Sequence, residues 1–132
     1  VILDFVLLRS GHSDHATRIF ELLDNGRIDV FVTSISIINV FYTTRKEKDA
    51  NTAHQAVGLL LNAVGVCGAN KDVLNNAYDL GFFDYEDAVQ CASAVAEGLD
   101  AIVTRNTKDF EGSPIPVYSP AEFLDILGQP SG

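Results

Sequence analysis

The chain has 132 residues, 47% of them hydrophobic, and a formal net charge of −9. That length suits one domain with a proper core, and no apolar run approaches the roughly 18 residues of a membrane span. A general nucleic-acid coat would be basic, so broad sequence-independent DNA binding is disfavoured; a carboxylate-rich metal pocket or a basic protein partner suits the charge better.

Val1–Phe5 is a short apolar run ending in charge and reads as a buried strand. No basic stretch precedes it, so a signal peptide is not expected. Ser13–Asp24 carries Ile19, Phe20, Leu22 and Leu23 at helical spacing, and Gly26 stops it. Ile28–Val32 is β-branched and aromatic, a second strand. Thr33 and Ser34 are N-cap candidates for a helix from about Ile35 to Lys46, with Ile35, Ile38, Phe41 and Tyr42 as its apolar face.

Asn51–Ala63, rich in Ala and Leu, predicts another helix, and Val64–Cys67 a weak strand. Asn70 caps a helix to about Leu80 that Gly81 closes. Asp84 caps a further helix from Tyr85 to Glu97, ending at Gly98. Ala101–Thr104 is a strand, Val117 lies in a last short strand, and Pro120 opens a helix to Leu127. Strands alternating with helices predict an α/β layer fold with a mostly parallel, helix-covered sheet. Residues 1–127 form one domain in this reading, and 128–132 a C-terminal tail. Cys67 and Cys91 sit in apolar surroundings and read as buried thiols in a reducing cytoplasm.

In such sheets ligands gather beyond the carboxyl ends of the strands. Three separated segments carry oxygen-bearing side chains to places of that kind. Asp4 ends the first apolar run, either as a ligand or as a charge marking strand exit. Asp84 and Asp87 share one helix face; as cap and first-turn acid they complement the helix dipole, yet capping does not explain the whole cluster Asp84, Glu86, Asp87 before the small face Ala88, Cys91, Ala92 and Val95. Thr104, Asn106 and Asp109 follow a strand, lining a loop at the sheet edge or simply making a turn. Asn39, inside a helix, is a core amide or a ligand. His12 and His15 read as surface residues, and Arg105 is the best phosphate contact among the arginines. No Gly-rich phosphate loop is present, which argues against nucleotide binding of the usual kinds.

Together these segments resemble a PIN domain, the family of small α/β nucleases that includes the VapC-like toxins. The segments that carry the resemblance are Phe83-Asp84-Tyr85-Glu86-Asp87-Ala88-Val89-Gln90, Ile102-Val103-Thr104-Arg105-Asn106-Thr107-Lys108-Asp109-Phe110, and Ser34-Ile35-Ser36 with Asn39-Val40-Phe41-Tyr42. It covers nearly the whole chain, from Val1 to about Leu127, and looks closest to a bacterial subgroup. The resemblance implies a three-layer α/β/α fold with a mostly parallel central sheet. The family's first acid falls on Asp4, its second on or near Asn39, its third on Asp87 with Asp84 as neighbour, and its fourth on Asn106 or Asp109. It implies Mg²⁺- or Mn²⁺-dependent hydrolysis of RNA, frequent homodimers, and an antitoxin protein as partner where the chain is the toxin of a pair.

The expected mechanism is metal-assisted phosphodiester hydrolysis, with Asp4, Asp87 and Asp109 catalytic and Asp84 a further ligand. Asn39, Thr104 and Asn106 support them, and Arg105 contacts RNA. Three departures from the family pattern stand out. Asp4 runs into Phe5-Val6-Leu7-Leu8, Asn39 replaces a carboxylate, and Asn106 stands where Asp is frequent. These departures motivate an alternative: a catalytically weak or inactive PIN-like module that binds RNA or a protein.

Overall fold

The computed structural model describes residues 13–128. The strand expected at Val1–Phe5, with Asp4, lies outside them, as does His12. The chain divides into two compact units, one ending at Cys67 and the next beginning at Gly68.

In the first unit, α1 (Ser13–Asp24) has the predicted bounds and buries Ile19 and Phe20. Gly26 takes a φ of 71°, which lets its N–H reach the Leu23 carbonyl and the Arg27 N–H reach that of Leu22, satisfying the carbonyls a helix end leaves open. The strand expected at 28–32 is shorter and later: β1 is Phe31–Thr33. It pairs in parallel with β2 (Gly65–Cys67), placing Phe31 opposite Gly65 and Thr33 opposite Cys67. The three-residue partner limits the ladder, although Gly65 N–H still donates to the Val30 carbonyl at 2.9 Å. The Phe31 ring lies where a Cβ on residue 65 would be, so glycine is what permits this approach.

Between the strands run α2 (Ser34–Glu47) and α3 (Ala50–Ala63), packed on each other. Thr33 caps α2, its Oγ1 accepting from Ser36 N–H at 3.1 Å. Asp49 caps α3, and the Thr52 N–H bond at 2.7 Å holds its carboxyl below the usual carboxylate range. The expected apolar face of α2 is corrected in part. Ile38 and Tyr42 are 54% and 60% exposed, while Val40 and Thr44 are buried and Ile37 packs on the core. Hydrophobic residues run most of the way round this helix, so sequence periodicity left its orientation open. Packing against Ala56 and Leu60 of α3 chose the 37–40–44 flank. The core of this unit is Phe20, Val40, Ala56, Leu60 and Val64.

In the second unit, α4 (Lys71–Leu80) packs along α5 (Tyr85–Glu97). Asn70 caps α4 through Val73 N–H at 3.0 Å, and Gly81 (φ 68°) ends it, as expected. Val73 and Ala77 of α4 are buried, as are Ala88, Val89, Cys91, Ala92 and Ala94 of α5. Val95, expected on the apolar face, is 40% exposed near the end of the helix. Strand β3 (Ile102–Val103) pairs in parallel with β4 (Val117–Tyr118), extended by Thr104 N–H donating to the Tyr118 carbonyl at 2.9 Å. A 3-10 turn (Thr107–Phe110) follows β3, and α6 (Pro120–Gly128) closes the unit. The start of α6 is a capping box: Ser119 and Glu122 exchange backbone-to-side-chain bonds of 3.0 and 3.1 Å.

The fold is therefore α/β, mostly helical, with parallel strands. Cys67 and Cys91 are buried and stand outside any disulfide. Among the described residues no helix is long and apolar enough to cross a membrane.

Candidate functional site

The second unit gathers its acids where α5 begins. Asp84 is the N-cap, with Oδ1 accepting from Asp87 N–H at 3.2 Å. Glu86 and Asp87 occupy the first turn, so two further carboxylates follow the cap where the helix dipole favours negative charge. Tyr85 ties this turn to α4 by donating its hydroxyl proton to the Leu74 carbonyl at 2.8 Å.

The loop after β3 supplies the other acid. Thr104 Oγ1 accepts from Asn106 N–H at 3.2 Å, folding the chain back at once, and the Asn106 carbonyl accepts from Asp109 N–H at 3.0 Å. The turn expected here is thus made by the Thr104 hydroxyl and by backbone; the Asn106 side chain caps nothing. Phe110, next to Asp109, is buried and meets Phe82 edge-to-face, with ring centroids 6.0 Å apart. Phe82 lies two residues before Asp84. One aromatic pair therefore braces both acidic segments. The sequence signal for this brace is present, since each acidic segment carries a Phe next to its acids, but a lone Phe does not announce its partner.

Electrostatics show the two segments meeting. The Asp87 carboxyl is pushed up to about 6, first by loss of water and then by the negative charges of Asp84, Asp109 and Glu86. Asp87 is half-buried, while Asp84, Glu86 and Asp109 are exposed. Among the described residues no three His, Cys, Asp or Glu side chains stand close enough together to hold a metal ion.

The other expected residues are placed as follows. Thr104 is half-buried, and Arg105 and Asn106 are exposed. Asn39 lies on α2 in the first unit and is exposed, which corrects the core-amide reading. His15 is exposed as expected. Glu86, noted in the acidic cluster but not assigned to the site, adds to the charge acting on Asp87.

Comparison with curated proteins finds no match. Among solved structures, the chain is similar to VapC20 of Mycobacterium tuberculosis, a sarcin-ricin loop cleaving toxin. The identity is 16% and the TM-score 0.54, over 75% of this chain and 81% of that one, a likeness of fold. A family model described as PIN domain matches residues 1–108. With that match over most of its length, the chain belongs to the PIN domain family.

Proposed function

We propose that this chain is a divalent-metal-dependent endoribonuclease whose Mg²⁺ or Mn²⁺ is drawn by the acids Asp84, Asp87 and Asp109, which do not by themselves form a complete metal-binding group. The observation that carries the reading is the Asp87 carboxyl, raised to about 6 by lost hydration and like charges. Capping requires none of this, because Asp84 already caps the helix. An all-oxygen, acidic donor set suits a hard cation, and a cation would relieve the repulsion. Asp4, outside the described residues, is kept as the family's first acid on the resemblance alone.

A divalent ion bound there supplies Lewis acidity toward the phosphate and lowers the pKa of an attacking water. The remaining work falls to the chain. The first turn of α5 and the Phe82–Phe110 brace hold Asp87 and Asp109 in place. Thr104 sets the loop, Asn106 offers an amide to substrate or water, and Arg105 meets a phosphate oxygen.

The fold likeness to VapC20 supports a finer reading: the toxin of a toxin–antitoxin pair, acting on RNA as a homodimer in the cytoplasm and restrained by an antitoxin protein. The test is cleavage of a panel of RNAs with Mn²⁺. Cleavage by the native chain, lost in Asp87→Asn and in Asp4→Asn while both remain folded, is the expected result. Full activity in Asp87→Asn would sink the assignment. Asn39 and Asn106, at positions where the family often has acids, favour a second reading as an inactive module. RNA binding without any cleavage would establish it.

A further inference from the structure

Phe82 and Phe83 are adjacent and opposite in fate. Phe82 turns inward onto Phe110. Phe83 is 107% exposed, its whole ring in water. An apolar ring held entirely in solvent gives nothing to folding. Its backbone is nonetheless fixed on both sides. Gly81 ends α4 just before it, and Asp84 starts α5 just after it, its carbonyl accepting from Ala88 N–H at 3.1 Å. The Tyr85 hydroxyl bond to the Leu74 carbonyl ties the next residue down. The chain thus presents a bare aromatic face from a short link between two capped helices, one residue from the acidic cluster.

We propose that Phe83 stacks on an unpaired base of the RNA substrate beside the scissile phosphate. The proposal rests on the ribonuclease reading and deepens it by assigning a residue that positions the substrate. Every base has a π-face, but only an unpaired base can offer it, since bases in a duplex are stacked on one another. The sequence around the ring favours a base over a phosphate as its contact: Asp84 follows Phe83 directly and Glu86 stands three residues on, and both would repel a phosphate. An apolar protein side chain is the rival occupant, and it would be served equally well by leucine. Phe83 is in this sense a positioning and specificity residue, not a catalytic one.

The test uses full-length protein with Mn²⁺ and two RNA probes, an unstructured oligonucleotide and a duplex of equal length. The unstructured probe carries 2-aminopurine, whose fluorescence falls when it stacks. Phe83→Ala and Phe83→Leu should weaken binding of the unstructured RNA about 10-fold or more, raise KM with kcat little changed, and abolish the fluorescence loss. Phe83→Trp should restore all three, and duplex binding should not respond. All three variants should keep the native melting temperature, because the side chain touches nothing that a fold depends on. Wild-type affinity in Phe83→Leu overturns the proposal, as does equal weakening of duplex and unstructured RNA, or a native chain that binds no RNA. Native cleavage with an unchanged KM in Phe83→Ala rejects the platform and keeps the nuclease. Base stacking by a native chain that cuts nothing rejects the nuclease and keeps the platform.

Discussion

Asp87 is where the chemistry concentrates. Its folded pKa of about 6 lies above the roughly 3.9 of an unfolded aspartate, so between those values the native state holds the extra proton. Stability from this group is therefore full below about pH 4 and is lost as pH rises through about 6. Asp87→Asn should raise the melting temperature of metal-free protein at pH 7 by a few degrees and change little at pH 4. Thermal melts at the two pH values check this. The gain is roughly 1 kcal/mol, because the half-buried carboxyl still sees water. Manganese should raise the native melting temperature at pH 7 by mass action, less so at pH 5 where protons compete, and not at all in Asp87→Asn. A native protein indifferent to millimolar Mn²⁺ at pH 7 would remove the metal site. All the groups acting on Asp87 were visible as letters, but their meeting was not. Asp109 lies 22 residues from Asp87, and no local rule couples charges at that separation.

Element boundaries set by local chemistry were the most legible. α4 and α5 have their expected bounds, and α1 its expected end, because side-chain caps and left-handed glycines act within a few residues. Asn70→Ala should cost about 1 kcal/mol in a denaturant melt for the same local reason. The Ser119–Glu122 capping box is equally local, a Ser-x-x-Glu spacing that encloses Pro120. Strand extents and the exposed flank of α2 depend on partners distant in sequence, which local periodicity does not specify. The Phe82–Phe110 brace is of that second kind. Phe110→Ala should cost about 3–5 kcal/mol and should also lower the Asp87 pKa, as Asp109 drifts away. An NMR titration of the Asp87 carboxyl, run beside the melt, measures both. An unchanged pKa in a folded variant would show that the ring pair does not hold the acids together.

At the scale of the whole molecule, the net charge of −9 limits how RNA can be held. Electrostatic binding grows with phosphates neutralised, and Arg105 and Lys108 are the cations nearest in sequence to the loop acids. Affinity for unstructured RNA should therefore fall only weakly with salt, with a log–log slope of magnitude about 1–2 at fixed Mn²⁺. Anisotropy titrations across a range of NaCl measure it; a slope several times steeper would point to a cationic track elsewhere on the surface. Composition, helix caps, the α/β order and the family resemblance could all be read before any coordinates, because each depends on residues near one another in the chain or on totals over it. Three things needed the folded chain. Thr33 stands opposite Cys67, Phe82 packs on Phe110 while its neighbour Phe83 is bare, and Asp109 brings its charge to Asp87. Each is a contact between distant residues, selected by packing, which no periodicity in the sequence encodes.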